Sequence, residues 1–208
     1  MRRAHETRSF LAVGAALTMA CAAWCAERPR VPAVTARLLP TALAVHDMLE
    51  SLAVVHLVKT SGATGLHIYV PLEARYSYEQ ALKFGLIAGH LVHRSLPTIT
   101  SLERDPRRRR DKVYIDLYQN RRGQTLAAPY CLRPRPGAPV STPLTWQEVT
   151  PDLNPRDWNM HNIQARVDAR GDLWRDVLGP GVDMEGALAR LQEMKRRHPT
   201  IGDVRGRG

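Results

Sequence analysis

Paired cysteine spacings, internal repeats and an apolar run long enough for a membrane span are all missing from this chain of 208 residues. Its three cysteines, Cys21, Cys25 and Cys131, form no C-x-x-C, so nothing requires an oxidising compartment or structural zinc. A cytoplasmic location, with no membrane partner, is the expectation. Acid is in deficit as well: 20 Asp and Glu stand against 30 Lys and Arg, a formal net charge of +10. That balance points to polyanions such as nucleic acid or nucleotide phosphates, without choosing among them. With 44% hydrophobic residues, a chain of this length buries one good core, not two.

The amino terminus works against the cytoplasmic expectation. Arg2, Arg3 and Arg8 precede an uncharged run from Ser9 to Ala26 that ends in small residues, the order of a secretory signal. Residues 27–37, with two prolines and no periodicity, read as a linker. The expected organisation is a leader over 1–33, a domain over 34–198 and a disordered Arg/Gly tail over 199–208.

Within the domain, Leu38, Ala42, Val45, Leu49 and Leu52 recur at helical spacing, with Pro40 tolerated in the first turn. Two apolar flanks, Val54 to Lys59 and Leu66 to Leu72, then enclose Ser61, Gly62, Ala63, Thr64 and Gly65, the pattern of a hairpin. Glycines at 62 and 65 permit backbone angles that strain other residues. Converging N–H groups in such a turn, with the Ser61 hydroxyl and the His67 imidazole beside it, suit a small anion such as phosphate. An ordinary hairpin with a satisfied, half-buried histidine is the plain alternative. Ser77 with Gln80 forms a capping box for a helix running to Leu96. A basic run, Arg107 to Arg110, leads into a strand, Lys112 to Tyr118, interrupted by Asp116. An acid there is costly unless solvated, paired with an arginine or bound to a cation. Five prolines between Gln124 and Trp146 predict an extended, loop-rich excursion from which Arg133 and Arg135 project. Short helical pieces at Trp146 to Val149 and Met160 to Val167 precede a last amphipathic helix, Val182 to Arg197.

Taken in order, KTSGATGLHIYVPL, RRRRDKVYIDLYQN and GQTLAAPYCLRPRPGAPVSTPLTW resemble the polymerase domain of bacterial DNA ligase D, in the archaeo-eukaryotic primase superfamily. The likeness runs from about Thr35 to the last helix. It implies a mixed α/β fold, an antiparallel sheet packed with helices, and extension of DNA ends in non-homologous end joining. It also implies that Ser61, Gly62, Gly65 and His67 grip a nucleoside triphosphate, that Arg109, Gln119 and Arg133 face the nucleotide, and that Asp116 is a catalytic metal ligand. The metal would be divalent, manganese or magnesium. A Ku-like end-binding protein and a ligase domain are the implied partners.

Three departures qualify that expectation. Cys131 stands where the family usually has serine, and Thr64 where it often has lysine, weakening one phosphate contact. More seriously, the family's first catalytic motif, two aspartates one residue apart shortly before the first helix, has no counterpart in ERPRVPAVTAR. The expectation is therefore a primase-polymerase domain, amino-terminally truncated, with an incomplete metal site and impaired transfer, joined to an unrelated leader. A reading-frame shift in the parent gene would produce this, and resequencing the locus for an in-frame D-x-D segment tests it. A sheet with an unpaired edge and exposed apolar area is the structural corollary. The alternatives are a non-catalytic nucleotide- or DNA-binding remnant and an exported basic protein, the last refuted by fractionation showing an uncleaved cytosolic product.

Overall fold

The computed structural model describes residues 19–22 and 32–197. Four helices and six strands follow in chain order: β1 (Met19–Ala22), α1 (Pro32–Ser51), β2 (Leu57–Thr60), β3 (Leu66–Tyr69), α2 (Tyr78–Ser95), β4 (Thr100–Ser101), β5 (Val113–Asp116), β6 (Pro143–Leu144), α3 (Ile163–Arg170) and α4 (Met184–Arg197). The strands form one sheet in the order β4-β5-β1-β3-β2-β6. All neighbours are antiparallel except β4 and β5.

Leu38, Ala42, Val45 and Leu49 are buried along one face of α1. The helix begins at Pro32, so residues 32–37 are helical rather than linker, and Pro40 lies inside the helix instead of in its first turn. An interior proline removes one backbone hydrogen bond at a cost of about 3 kcal/mol. Burial of that apolar face offsets the cost, each leucine contributing about 2 kcal/mol. The Ser77 capping box opens α2 as expected: the Ser77 N–H donates to Gln80 Oε1 at 2.8 Å and the Gln80 N–H to Ser77 Oγ at 3.2 Å. Phe84, Ala88 and Val92 bring α2 into the same core as Val58, Ile68 and Ile115 of the sheet. At Gly89 an added Cβ would lie 2.5 Å from Leu117 Cδ1. A hydrogen here lets α2 press on the turn that follows Asp116.

Of the expected leader, Met19–Ala22 is an interior strand of the sheet, pairing with β3 on one side and β5 on the other. Residues 1–18, 23–31 and the tail after 197 lie outside the described residues. Both sheet edges, β4 and β6, are two residues long, so the described sheet offers no long bare edge. The large exposed apolar side chains, Val55, Leu132, Met160 and Leu178 among them, are spread over separate segments. No helix among the described residues is long and apolar enough to cross a membrane.

Candidate functional site

Strand pairing sets five residues in one row across the sheet: Asp116, Ala20, His67, Lys59 and Pro143. Directly opposed residues share a face, and the neighbouring Val58, Ile68 and Ile115 belong to the core on the other face. The row therefore lies on the face away from α1 and α2. Strand spacing puts the Asp116 and His67 backbones roughly 10 Å apart, with β1 between them.

At one end is the β2–β3 turn. The Ser61 hydroxyl oxygen accepts from the Ala63 and Gly65 N–H groups, both at 3.1 Å, and the Ser61 N–H donates to the Gly65 carbonyl at 2.8 Å. These N–H groups thus fold inward onto Ser61 instead of converging outward on a ligand. Gly62 has φ +66°, and a Cβ there would lie 2.6 Å from Arg133 Cγ and 2.9 Å from the Ser141 nitrogen. Glycine is required at 62 both by conformation and by space. Gly65 plays its part through its backbone bonds.

Beneath the turn sits a residue the sequence reading passed over. Lys59 is fully buried, and its Nζ bonds to His67 Nδ1 at 2.9 Å and to Ser141 Oγ. Ser141 Oγ donates its own proton to the Thr60 carbonyl at 2.8 Å, so it accepts from Lys59. Burial first, and the nearby Arg133 charge after it, pull the Lys59 pKa down to about 7. Burial, with Lys59 and Arg133 adding to it, also holds His67 well below its ordinary value. A neutral His67 accepts at Nδ1 from Lys59 and is left with Nε2–H as a donor. The signal was present in the sequence, a lysine on an apolar strand directly before the Thr-Ser-Gly turn.

Arg133 reaches this cluster from the proline-rich excursion. Tyr130 and Cys131 pair with Ser141, and Arg133 N–H donates to the Pro139 carbonyl at 2.8 Å. These bonds turn Arg133 inward beside Gly62, whereas Arg135 stays exposed. Arg133 Nε is buried without a hydrogen-bond partner. An unpaired guanidinium N–H in such a place is costly and suits an anion.

At the other end of the row, Asp116 lines a cleft of about 200 Å³ with Arg104, Arg109, Tyr114, Gln119 and Arg121. Asp116 Oδ1 accepts from the Tyr118 N–H at 3.2 Å and Oδ2 from Gln119 Nε2 at 3.0 Å. Gln119 Oε1 is buried without a partner. Arg109 is committed elsewhere: Nε donates to the Glu103 carbonyl at 2.8 Å, Nη2 to the Arg104 carbonyl at 2.6 Å, and the guanidinium lies 3.8 Å from the Tyr114 ring centre. Burial, followed by the Asp116 charge, pushes Tyr114 up to about 12 and keeps its phenol protonated. Thus Ser61, Gly62, Gly65, His67 and Arg133 gather with Lys59, while Arg109, Asp116 and Gln119 gather in the cleft.

Among the described residues, Asp116 is the one acid lining that cleft. Across β1, the register positions facing Asp116 and Tyr114 belong to Ala20 and Ala22. Two divalent cations need carboxylates beyond one, so the described residues do not fit a two-metal site.

A family model for the LigD primase-polymerase domain matches residues 29–174. Over 145 residues the chain is 32% identical to a multifunctional non-homologous end joining protein, LigD, of Pseudomonas aeruginosa, covering 69% of this chain and 17% of that protein. It is 30% identical over 178 residues to the LigD DNA repair protein of Mycobacterium tuberculosis, 83% of this chain and 23% of the relative. In three dimensions it is similar to the polymerase domain of Mycobacterium tuberculosis ligase D in complex with DNA. The TM-score is 0.65 at 30% identity, covering 71% of this chain and 51% of that one. The chain therefore spans about a fifth of the length of these curated relatives.

Proposed function

Because the chain belongs to the LigD primase-polymerase domain family, we propose that it binds a nucleoside triphosphate at the β2–β3 turn and engages DNA ends in non-homologous end joining, with impaired nucleotidyl transfer. The observation that carries this reading is the row from Lys59 and His67 to Asp116, complete in cationic and donor groups and short of carboxylates. In it, the Ser61 hydroxyl, His67 Nε2–H and Arg133 Nε–H donate to triphosphate oxygens, and Lys59 supplies positive charge from below. Gln119 holds the Asp116 carboxylate in place.

A hard divalent cation, magnesium or manganese, is the class that Asp116 oxygens suit. Held by one carboxylate, such a cation binds weakly. Exposed Arg107, Arg108 and Arg110 beside the cleft fit a DNA backbone. The DNA complex of the similar solved domain supports that assignment. A Ku-like protein and a ligase domain would be the partners of such a module.

A second reading, a binding module with no residual turnover, draws on the same missing carboxylates. Calorimetric titration with a nucleoside triphosphate tests the site that both readings share. Arg133→Ala is expected to weaken binding by about 2 kcal/mol, roughly thirtyfold. Equal affinity in the two proteins would refute the assignment.

A further inference from the structure

A second group of potential ligands lies apart from the row, where the end of α1 meets the start of β2. His46 and Glu50 are four residues apart and so share one face of α1. His56 directly precedes β2 and is buried. One ligand atom from each of His46, Glu50 and His56 falls within 4.8 Å of the others.

The geometry fixes what each ring presents. His56 Nδ1 lies 2.7 Å from the Val54 carbonyl, which has no proton to give, so Nδ1 carries the N–H and Nε2 carries a lone pair. That Nε2 faces His46 Nδ1 at 2.7 Å. An N–H donated to a backbone carbonyl from the far side of the ring is the arrangement that orients metal-binding histidines. Burial lowers the His56 pKa, consistent with a neutral ring. His46 is steadied by Trp146, stacked at 4.1 Å between ring centres and 21° between planes.

Two readings of the 2.7 Å contact compete. One is a hydrogen bond from His46 to His56. The other is a pair of nitrogens approaching one cation, which at a zinc–nitrogen distance of about 2.0–2.1 Å would lie about 3.3 Å apart. That opening is a fraction of an ångström, and the exposed Glu50 side chain can swing toward Nε2 from its present place 4.0 Å from His56 Nδ1. The third group is what favours the cation: two imidazoles and a carboxylate form a recognised zinc ligand set with an open position.

We propose that His46, Glu50 and His56 bind one divalent transition-metal ion of the zinc class, which clasps the carboxy-terminal turns of α1 to the entry of β2. The site is independent of the nucleotide reading, because none of its residues lies in the row or in the Asp116 cleft.

The test is calorimetric titration of the metal-free full chain with zinc ion, paralleled by the visible absorption of cobalt ion. One ion per chain is expected, with intense tetrahedral cobalt bands. His46→Phe keeps a ring on Trp146 while removing the nitrogen, and Glu50→Gln changes an exposed group. Each is expected to weaken zinc binding by more than about tenfold, with circular dichroism unchanged. Asp116→Asn is expected to leave it unchanged. Absence of stoichiometric zinc binding would overturn the proposal. So would binding that survives both His46→Phe and Glu50→Gln, or binding that is lost in Asp116→Asn.

Discussion

Lys59 shows how one residue ties burial to function. Its pKa of about 7 means that the folded chain resists the ammonium form, whereas the unfolded chain keeps it up to the ordinary lysine range. Below pH 7 both states are protonated and the folded state bears the whole burden. As pH rises from about 7 toward 10.5 the folded state alone sheds the proton, so this group's contribution to stability increases. Anion binding works in the opposite sense, because a triphosphate beside Nζ favours the ammonium. Between pH 7 and 9, triphosphate affinity is expected to fall with rising pH, by at most about tenfold per unit, with proton uptake on binding. Calorimetry in buffers of different ionisation enthalpy reads that uptake. A pH-independent affinity in Lys59 protein, identical to that of Lys59→Met, would contradict the assignment. The bonds of Lys59 to His67 and Ser141 were not legible locally, since Ser141 arrives from 82 residues away. The need for glycine at 62 was legible, because turn chemistry is written in adjacent residues.

At the level of elements, the proline-rich excursion is held by a few specific ties. Glu148 caps its own turn, accepting from the Thr145 N–H at 2.9 Å, and takes two bonds at 2.8 Å from Arg166 of α3. Arg166 also donates to the Pro143 carbonyl at 2.9 Å and lies 4.5 Å from the Trp158 ring centre. Burial raises the Glu148 pKa, but the bonds from Arg166 and the Thr145 backbone outweigh it and hold the carboxyl below its ordinary value. The pair therefore stabilises the fold above the usual carboxylate range, and the contribution fades as pH falls through the depressed pKa. Arg166→Ala leaves a largely buried carboxylate with the more distant Arg170 at 3.8 Å and the Thr145 N–H, and is expected to cost about 2 kcal/mol in urea denaturation at pH 7, and less near pH 3. A loss below about 0.5 kcal/mol, within the ordinary range of surface substitutions, would show the tie to be superficial. Elements read from periodicity and capping, α2 above all, matched closely because their signals are local. The strand β1 did not, since its Met-Ala-Cys-Ala sequence lacks the β-branched and aromatic composition that marks strands. Only its partners β3 and β5 define it.

For the molecule as a whole, family and fold agree with the reading of the three ordered segments. The Asp-x-Asp motif expected before the first helix is absent, and Ala20 and Ala22 hold the register positions opposite Asp116 and Tyr114. Alternate residues of a strand share a face, so these are the two places on β1 from which carboxylates would join Asp116. Under the proposed reading this chain retains a triphosphate site but is limited in transfer by missing acid. Primer extension with manganese and ribonucleotides measures it directly, comparing the natural sequence with Asp116→Ala and with the double substitution Ala20→Asp/Ala22→Asp. The natural chain is expected to extend weakly, only slightly above Asp116→Ala, and the double variant to extend strongly in a way that Asp116→Ala abolishes. Robust extension by the natural chain, lost on Asp116→Ala, would contradict that reading.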